Sequence, residues 1–210
     1  MSPRIYFMRH AQGYHNLHQQ YDIPDPELTS QGEQQCLDIH NHTEEFQRRL
    51  THLVASPSFR CIRTAAMSFR DVAYQGSMIV LNPDIQEIQS AACNIPADLN
   101  RLDDMWGDFI NAKLLEGVNY TDRSPNSPFH EDYQAVLNRA QKARVWLREL
   151  CRELHQTKGK DAEIVVVSHG SFLPFLTGNV LPWDNCQIRE YKFIDPSGHD
   201  HEAALELVPE

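Results

Sequence analysis

The chain has 210 residues, 41% hydrophobic and 23% charged, enough for one domain with a sizeable core. Its 29 acidic and 19 basic residues give a formal charge of -10, which disfavours nucleic acid and anionic membrane surfaces as partners. An anionic ligand would therefore need a local basic pocket. No apolar run approaches the roughly 18 residues of a membrane span, and the N-terminus lacks the apolar core and cleavage site of a signal peptide. Five scattered cysteines (Cys36, Cys61, Cys93, Cys151 and Cys186) have no CxxC spacing. They read as free thiols in a reducing compartment, so a cytoplasmic protein is expected, with no disulfide framework or zinc site.

Ile5 to Met8 is a short apolar run that stops at Arg9-His10, as a buried strand does when its tip enters a site. A polar segment from Gly13 to Asp25 follows. Ser30 and Glu33 have capping-box spacing, which predicts a helix running to about Leu50. Leu53 to Ala55 is a second strand, ended by Ser56-Pro57. Arg60 to Phe69 reads as helical, and Met78 to Leu81 as a third strand. Residues 83–130 are irregular and read as a cap insertion, or else a plain surface elaboration, with one amphipathic helix at Leu99, Leu102, Trp106, Phe109, Ile110 and Leu114. Trp106, Phe109 and Tyr120 either offer an apolar or aromatic wall for a substrate or only glue the cap to the core. The longest helical pattern runs from Phe129 to about Leu154, with Gly159 ending the region. Ile164 to Val167 has the β-branched run of a central parallel strand and ends at Ser168-His169-Gly170. Ser171 to Leu176 begins another helix. Gln187 to Ile194 and Ala203 to Val208 form a closing hairpin.

Strands alternating with helices predict one α/β domain, a three-layer α/β/α sandwich with a mostly parallel sheet and an antiparallel edge. In such a sheet ligands bind at the C-terminal strand ends. Arg9, His10, Arg60 and His169 can therefore converge, far apart as they are in sequence. Arg60 falls in the first turn of its helix, where the dipole disfavours a cation, so it should have another reason to be there. Two arginines, two histidines and helix-start N–H groups together make a phosphate pocket.

Several segments resemble one family. Arg9-His10-Ala11 is similar to the Arg-His-Gly signature of the histidine phosphatase superfamily, the phosphoglycerate-mutase-like proteins. Asn16 matches an asparagine that follows that signature. Leu28-Thr29 with Gly32 and Gln35 resembles the family's Leu-Thr-x-x-Gly-x-x-Gln. Ser56-Pro57-Ser58-Phe59-Arg60-Cys61-Ile62-Arg63-Thr64-Ala65 resembles its Ser-Pro-Leu-x-Arg-Ala-x-Gln-Thr-Ala. Glu87 follows a strand, where the family's acid lies, and Val167 to Gly170 resembles the second histidine motif. Arg-His-Ala-Gln-Gly-x-His-Asn, with Gln86-Glu87 and the Cys93 segment, looks most like fungal and plant members.

The resemblance implies a phosphatase acting on a small phosphorylated substrate without a metal or organic cofactor. His10 would accept the phosphoryl group as phosphohistidine. Arg9, Arg60 and His169 would hold its oxygens, with Asn16 and Gly170 beside them, and Glu87 would donate a proton to the leaving oxygen. Alternatives stand beside this reading. Asp84 competes with Glu87, and Asn16 can equally cap a turn. Arg63 stands where the family often has Gln. His15 and His18 read as solvated residues, and His199 with His201 lacks a third ligand. Ser168 and Ser171 lack a nucleophile elbow. A phosphomutase and a non-catalytic binding module are the competing functions. Ala11 in place of glycine implies strain if the backbone there needs a positive φ. The oligomeric state is left open.

Overall fold

The computed structural model describes residues 3–17, 19–74, 78–158 and 162–209, which leaves His18 and Gly159 outside the described residues. Seven strands form one sheet: β1 (Arg4–Arg9), β2 (His52–Ala55), β3 (Ile79–Leu81), β4 (Ile110–Asn111), β5 (Glu163–Ser168), β6 (Ile188–Phe193) and β7 (Leu205–Leu207), in the order β4-β3-β2-β5-β1-β6-β7. The five strands from β4 to β1 run parallel, and β6 and β7 add an antiparallel edge. The Val/Ile run of β5 lies at the centre, buried on both faces, as expected of a strand covered by helices above and below.

Side chains alternate across the sheet. Tyr6 and Met8 join one core cluster, and Ile5 and Phe7 the other. The first cluster packs under α1 (Ser30–His42), α2 (Glu44–Arg49), α3 (Phe59–Ser68), α4 (Arg70–Tyr74) and α5 (Leu99–Trp106); the second packs under α6 (Tyr133–Lys158) and α7 (Leu173–Thr177). The three layers match the expected sandwich. No described helix is long and apolar enough to cross a membrane.

Register positions the site. Arg9 pairs with Ser168, and Ala55 pairs with Val167. The chain therefore leaves β1, β2 and β5 at one level, bringing His10, Ser56 and His169 to a common edge.

Several boundaries differ from the sequence reading. The first long helix breaks at Thr43, whose hydroxyl donates to the Ile39 carbonyl (2.6 Å) and opens the separate helix α2. Thr29, rather than Ser30, caps α1 by accepting from the Gly32 N–H (3.0 Å), and Glu33 turns outward to Arg63. The amphipathic pattern from Leu99 to Leu114 is not one helix. It stops at Trp106 before Gly107, and Ile110–Asn111 then pairs with β3 as the sheet's edge strand. Glycine and aspartate after Trp106 favour a turn, and burial of Ile110 (3% exposed) in the sheet outweighs helical spacing. α6 starts at Tyr133, with Phe129 buried in the loop before it.

Candidate active site

A cleft of about 590 Å³ opens above the tips of β1 and β5, lined in part by Arg9, His10, His15, Asn16, Glu87 and Gly170. His10 forms its floor and is 2% exposed. The backbone holds it from several sides: its N–H donates to the Ser168 carbonyl (3.0 Å), its carbonyl accepts from Asn185 Nδ2 (2.8 Å), and the Arg9 carbonyl accepts from the Cys186 N–H (3.1 Å). Its ring Nδ1 lies 2.7 Å from the Ala11 carbonyl. A carbonyl can only accept, so Nδ1 carries the hydrogen and Nε2 keeps the lone pair. Burial first, then Arg60 and His15, push the imidazole well below its usual pKa, so the ring is neutral.

The turn after His10 is held by the Leu-Thr-x-x-Gly-x-x-Gln segment. The Thr29 hydroxyl donates to Gln12 Oε1 (2.8 Å), and Gln35 Oε1 accepts from the Gln12 N–H (2.9 Å). A Cβ at Gly32 would sit 2.1 Å from the Gln12 carbonyl oxygen, so only glycine lets α1 approach this turn. Ala11 is fully buried, donates its N–H to Thr64 Oγ1 (3.0 Å) and does not adopt a positive φ. Alanine in place of the signature glycine therefore carries no left-handed strain.

Arg9 reaches the cleft wall with Nη1 donating to the Trp183 carbonyl (2.6 Å) and Nε left without a partner. A Cβ at Gly170 would lie 2.9 Å from that Nε, which accounts for glycine there. Arg60 is fully buried and lies behind the cleft lining. Its Nη1 donates to the Cys93 carbonyl (2.7 Å), and its Nη2 donates to Asn94 Oδ1 (3.0 Å) and to His169 Nδ1 (3.0 Å). Arginine cannot accept, so His169 Nδ1 is the unprotonated nitrogen and its Nε2–H donates to Ser56 Oγ (2.8 Å). His169 is thus neutral, held well below its usual pKa by burial and then by Arg60, with its ring centre 5.3 Å from that of His10.

The reason a cation tolerates the first turn of α3 is Asp25. Its Oδ1 accepts from the Phe59 N–H (3.1 Å), capping α3 from another segment, and lies 3.9 Å from Arg60 Nη1; its Oδ2 accepts from the Ala97 N–H (2.9 Å). Burial, opposed by Arg60, raises its pKa to about 6.

Glu87 lines the cleft, with Oε1 accepting from the Ile88 N–H (2.9 Å) and Oε2 from the Ser171 N–H (3.3 Å). Arg139 braces this corner from α6. It donates to the Gln86 and Glu87 carbonyls (2.8 and 3.3 Å) and lies over the Phe172 ring. Asp84 faces away from the cleft, paired with Lys142 (3.0 Å). Asn16 both caps and lines: its Oδ1 accepts from the Gly13 N–H (3.0 Å) while its side chain borders the cleft.

Two sequence expectations need correction. His15 is not solvated. It is 6% exposed, lines the cleft with its ring centre 5.4 Å from that of His10, and has its pKa brought down to about 3 by burial and then by Arg60 and Arg9. Trp106, Phe109 and Tyr120 do not form the aromatic wall. Trp106 and Phe109 border a separate groove with Met67 and Arg70, and the buried Tyr120 donates its hydroxyl to the Ala97 carbonyl. The aromatic lining is Tyr21 and Trp183. His15 carried a signal in its place just after the strand tip. Asp25 carried one between Pro24 and Pro26, which stiffen its loop. Tyr21 and Trp183 carried none.

The arrangement joins a neutral imidazole with a free lone pair, guanidinium charge and a carboxylate fixed at one cleft. A family model described as "Histidine phosphatase superfamily (branch 1)" matches residues 5–198. The chain is 26% identical to "Phosphoglycerate mutase-like protein 1" of Arabidopsis thaliana, over 92% of this chain and 82% of the relative. Among solved structures it resembles the ecdysone phosphate phosphatase of Bombix mori in complex with tungstate (TM-score 0.65, 14% identity, 99% of this chain and 92% of that one). It also resembles a phosphoserine phosphatase variant of Entamoeba histolytica in complex with phosphoserine (TM-score 0.57, 18% identity, 99% and 95%). Fold, matched residues and site together place this chain in the histidine phosphatase superfamily, branch 1.

Proposed function

We propose that the protein is a cofactor-independent phosphatase that hydrolyses a small phosphate monoester through a phosphohistidine on His10. The observation that carries this reading is the 2.7 Å approach of His10 Nδ1 to the Ala11 carbonyl, which leaves the Nε2 lone pair as the nucleophile in a buried, neutral ring. Nε2 attacks phosphorus, the P–O ester bond breaks, and Glu87 gives its proton to the leaving oxygen. Water then attacks the phosphohistidine while Glu87 takes its proton back. The P–N bond breaks, releasing phosphate and the free imidazole.

Arg9, Asn16 and the Gly170 segment border the cleft beside His10 and bind the phosphoryl oxygens. Arg60, one layer behind, adds positive potential, the neutral His169 beside it holds the geometry, and the Nε–H groups of Arg9 and Arg60 have no other partner. Gln89, Ala91, Cys93 and Asn94, from the 83–130 stretch, act as a cap over the bound ester.

The test is turnover of simple phosphate esters without added metal. His10→Ala should lower kcat/KM by roughly a thousandfold or more while leaving the circular-dichroism spectrum unchanged. Full rate in that variant would contradict the nucleophile assignment.

A further inference from the structure

The cleft of about 590 Å³ is far larger than a phosphoryl group, so most of it receives the rest of the ester. Its lining carries few charges. Among the described lining residues Arg9 is the sole arginine or lysine and Glu87 the sole carboxylate. Arg9 lies against Gly170 beside His10 and already holds the Trp183 carbonyl. His10 and His15 are kept neutral by burial and by Arg60. The other arginine of the cluster, Arg60, is sealed behind the wall and balanced by Asp25.

The lining contributed by Tyr21, Gln89, Ala91, Cys93, Asn94, Pro182 and Trp183 is uncharged: aromatic, small, apolar or amide. Trp183 is immobilised, with the Arg189 guanidinium 4.1 Å over its ring and Tyr191 stacked on it at 22°. Trp183 itself is only 4% exposed and forms a rigid backing, and the half-exposed ring of Tyr21 is the aromatic surface open to a ligand. A carboxylate or second phosphate on the leaving group would lose water here without a second lining cation to meet it, since Arg9 is taken up by the phosphoryl group.

Resting on the phosphatase reading above, we infer that the natural ester carries an uncharged, ring-bearing alcohol, and that carboxylated phosphates of the phosphoglycerate or phosphoserine kind are disfavoured. The matched probes are 4-carbamoylphenyl phosphate and 4-carboxyphenyl phosphate, alike in shape and different in charge. Salt at about 0.5 M screens long-range repulsion from the acidic surface. The carbamoyl ester should be preferred by about tenfold or more in kcat/KM. Gln89→Arg, which adds a cation at an exposed lining position, should shrink that ratio severalfold.

Equal kcat/KM values, or preference for the carboxylate, would overturn the substrate class while leaving the phosphatase reading intact. A ratio unmoved by Gln89→Arg would place the discrimination outside this lining and overturn the assignment. No turnover of either ester or of phenyl phosphate would overturn the phosphatase reading and the substrate class with it.

Discussion

At the deep end of the cleft Arg60 and His169 have no solvent exposure and His10 has 2%, and each is held by hydrogen bonds from at least two other segments. At the mouth Tyr21 is 51% exposed, and Gln89 reaches Ser171 through one long contact of 3.4 Å. The deep end rises from strand tips in fixed register, whereas the mouth is made of loops. On the proposed phosphatase reading, the difference separates two tasks. Chemistry on a phosphoryl group needs charges and a lone pair held to fractions of an ångström, which buried strand ends supply. Choice of leaving group needs surface that can vary without disturbing that frame, which loops supply.

The largest effect expected from breaking the deep end is on folding. Asp25→Ala would leave Arg60 buried without its carboxylate and α3 without its cap. Removing one partner of a buried pair costs about 3–5 kcal/mol, and each kcal/mol lowers Tm by about 2–4 °C in a chain of this size. Thermal unfolding followed by circular dichroism checks this, and a Tm within a degree or two of wild type would show that Asp25 does not anchor Arg60.

Next in size is a change at the corner where the two ends meet. Glu87→Gln should slow esters with poor leaving groups by about a hundredfold, and p-nitrophenyl phosphate much less, because a good leaving group needs little protonation. Equal slowing of both would point to a different acid.

The smallest and most diffuse effect is of pH on stability. His10, His15 and His169 have folded-state pKa values below the usual 6.5. Their contribution is therefore complete above pH 6.5 and is lost as pH falls, because the unfolded chain takes up protons that the native chain refuses. Asp25, raised to about 6, acts in the opposite sense: its contribution is present below its unfolded pKa and lost as pH rises through about 6. Between pH 6 and 5 these groups leave a net uptake of up to about two protons on unfolding, or about 3 kcal/mol per pH unit. Urea unfolding at pH 7.5, 6 and 5 should follow that slope, and His15→Gln should reduce it by about one proton. A flat profile would mean that the histidines are not held neutral.

The deep end was legible in the sequence because it is built from signals that act locally. Apolar runs ending at Arg9-His10, Ser56 and Ser168-His169 mark strand tips, and sheet topology brings strand tips together. The mouth was not legible, because Tyr21 and Trp183 reach the cleft through loops whose course depends on tertiary packing, and isolated aromatic residues carry no pattern. Helical spacing misled at Ile110, where burial in the sheet outweighed periodicity. Asp25 was hidden for a related reason: its partners, Phe59, Arg60 and Ala97, lie 34 or more residues away along the chain. The Arg60 anomaly at the start of α3 called for such a residue without saying where it lay.

The central claim is that Nε2 of His10, left unprotonated by the Ala11 carbonyl, accepts the phosphoryl group. Rapid quenching of turnover in alkali, followed by phosphorus NMR of the denatured protein, tests it most directly. The account predicts an acid-labile, alkali-stable adduct on the His10 Nε2 atom, absent from His10→Ala. A phosphoryl group found on Nδ1, on another residue, or nowhere while turnover proceeds would contradict it.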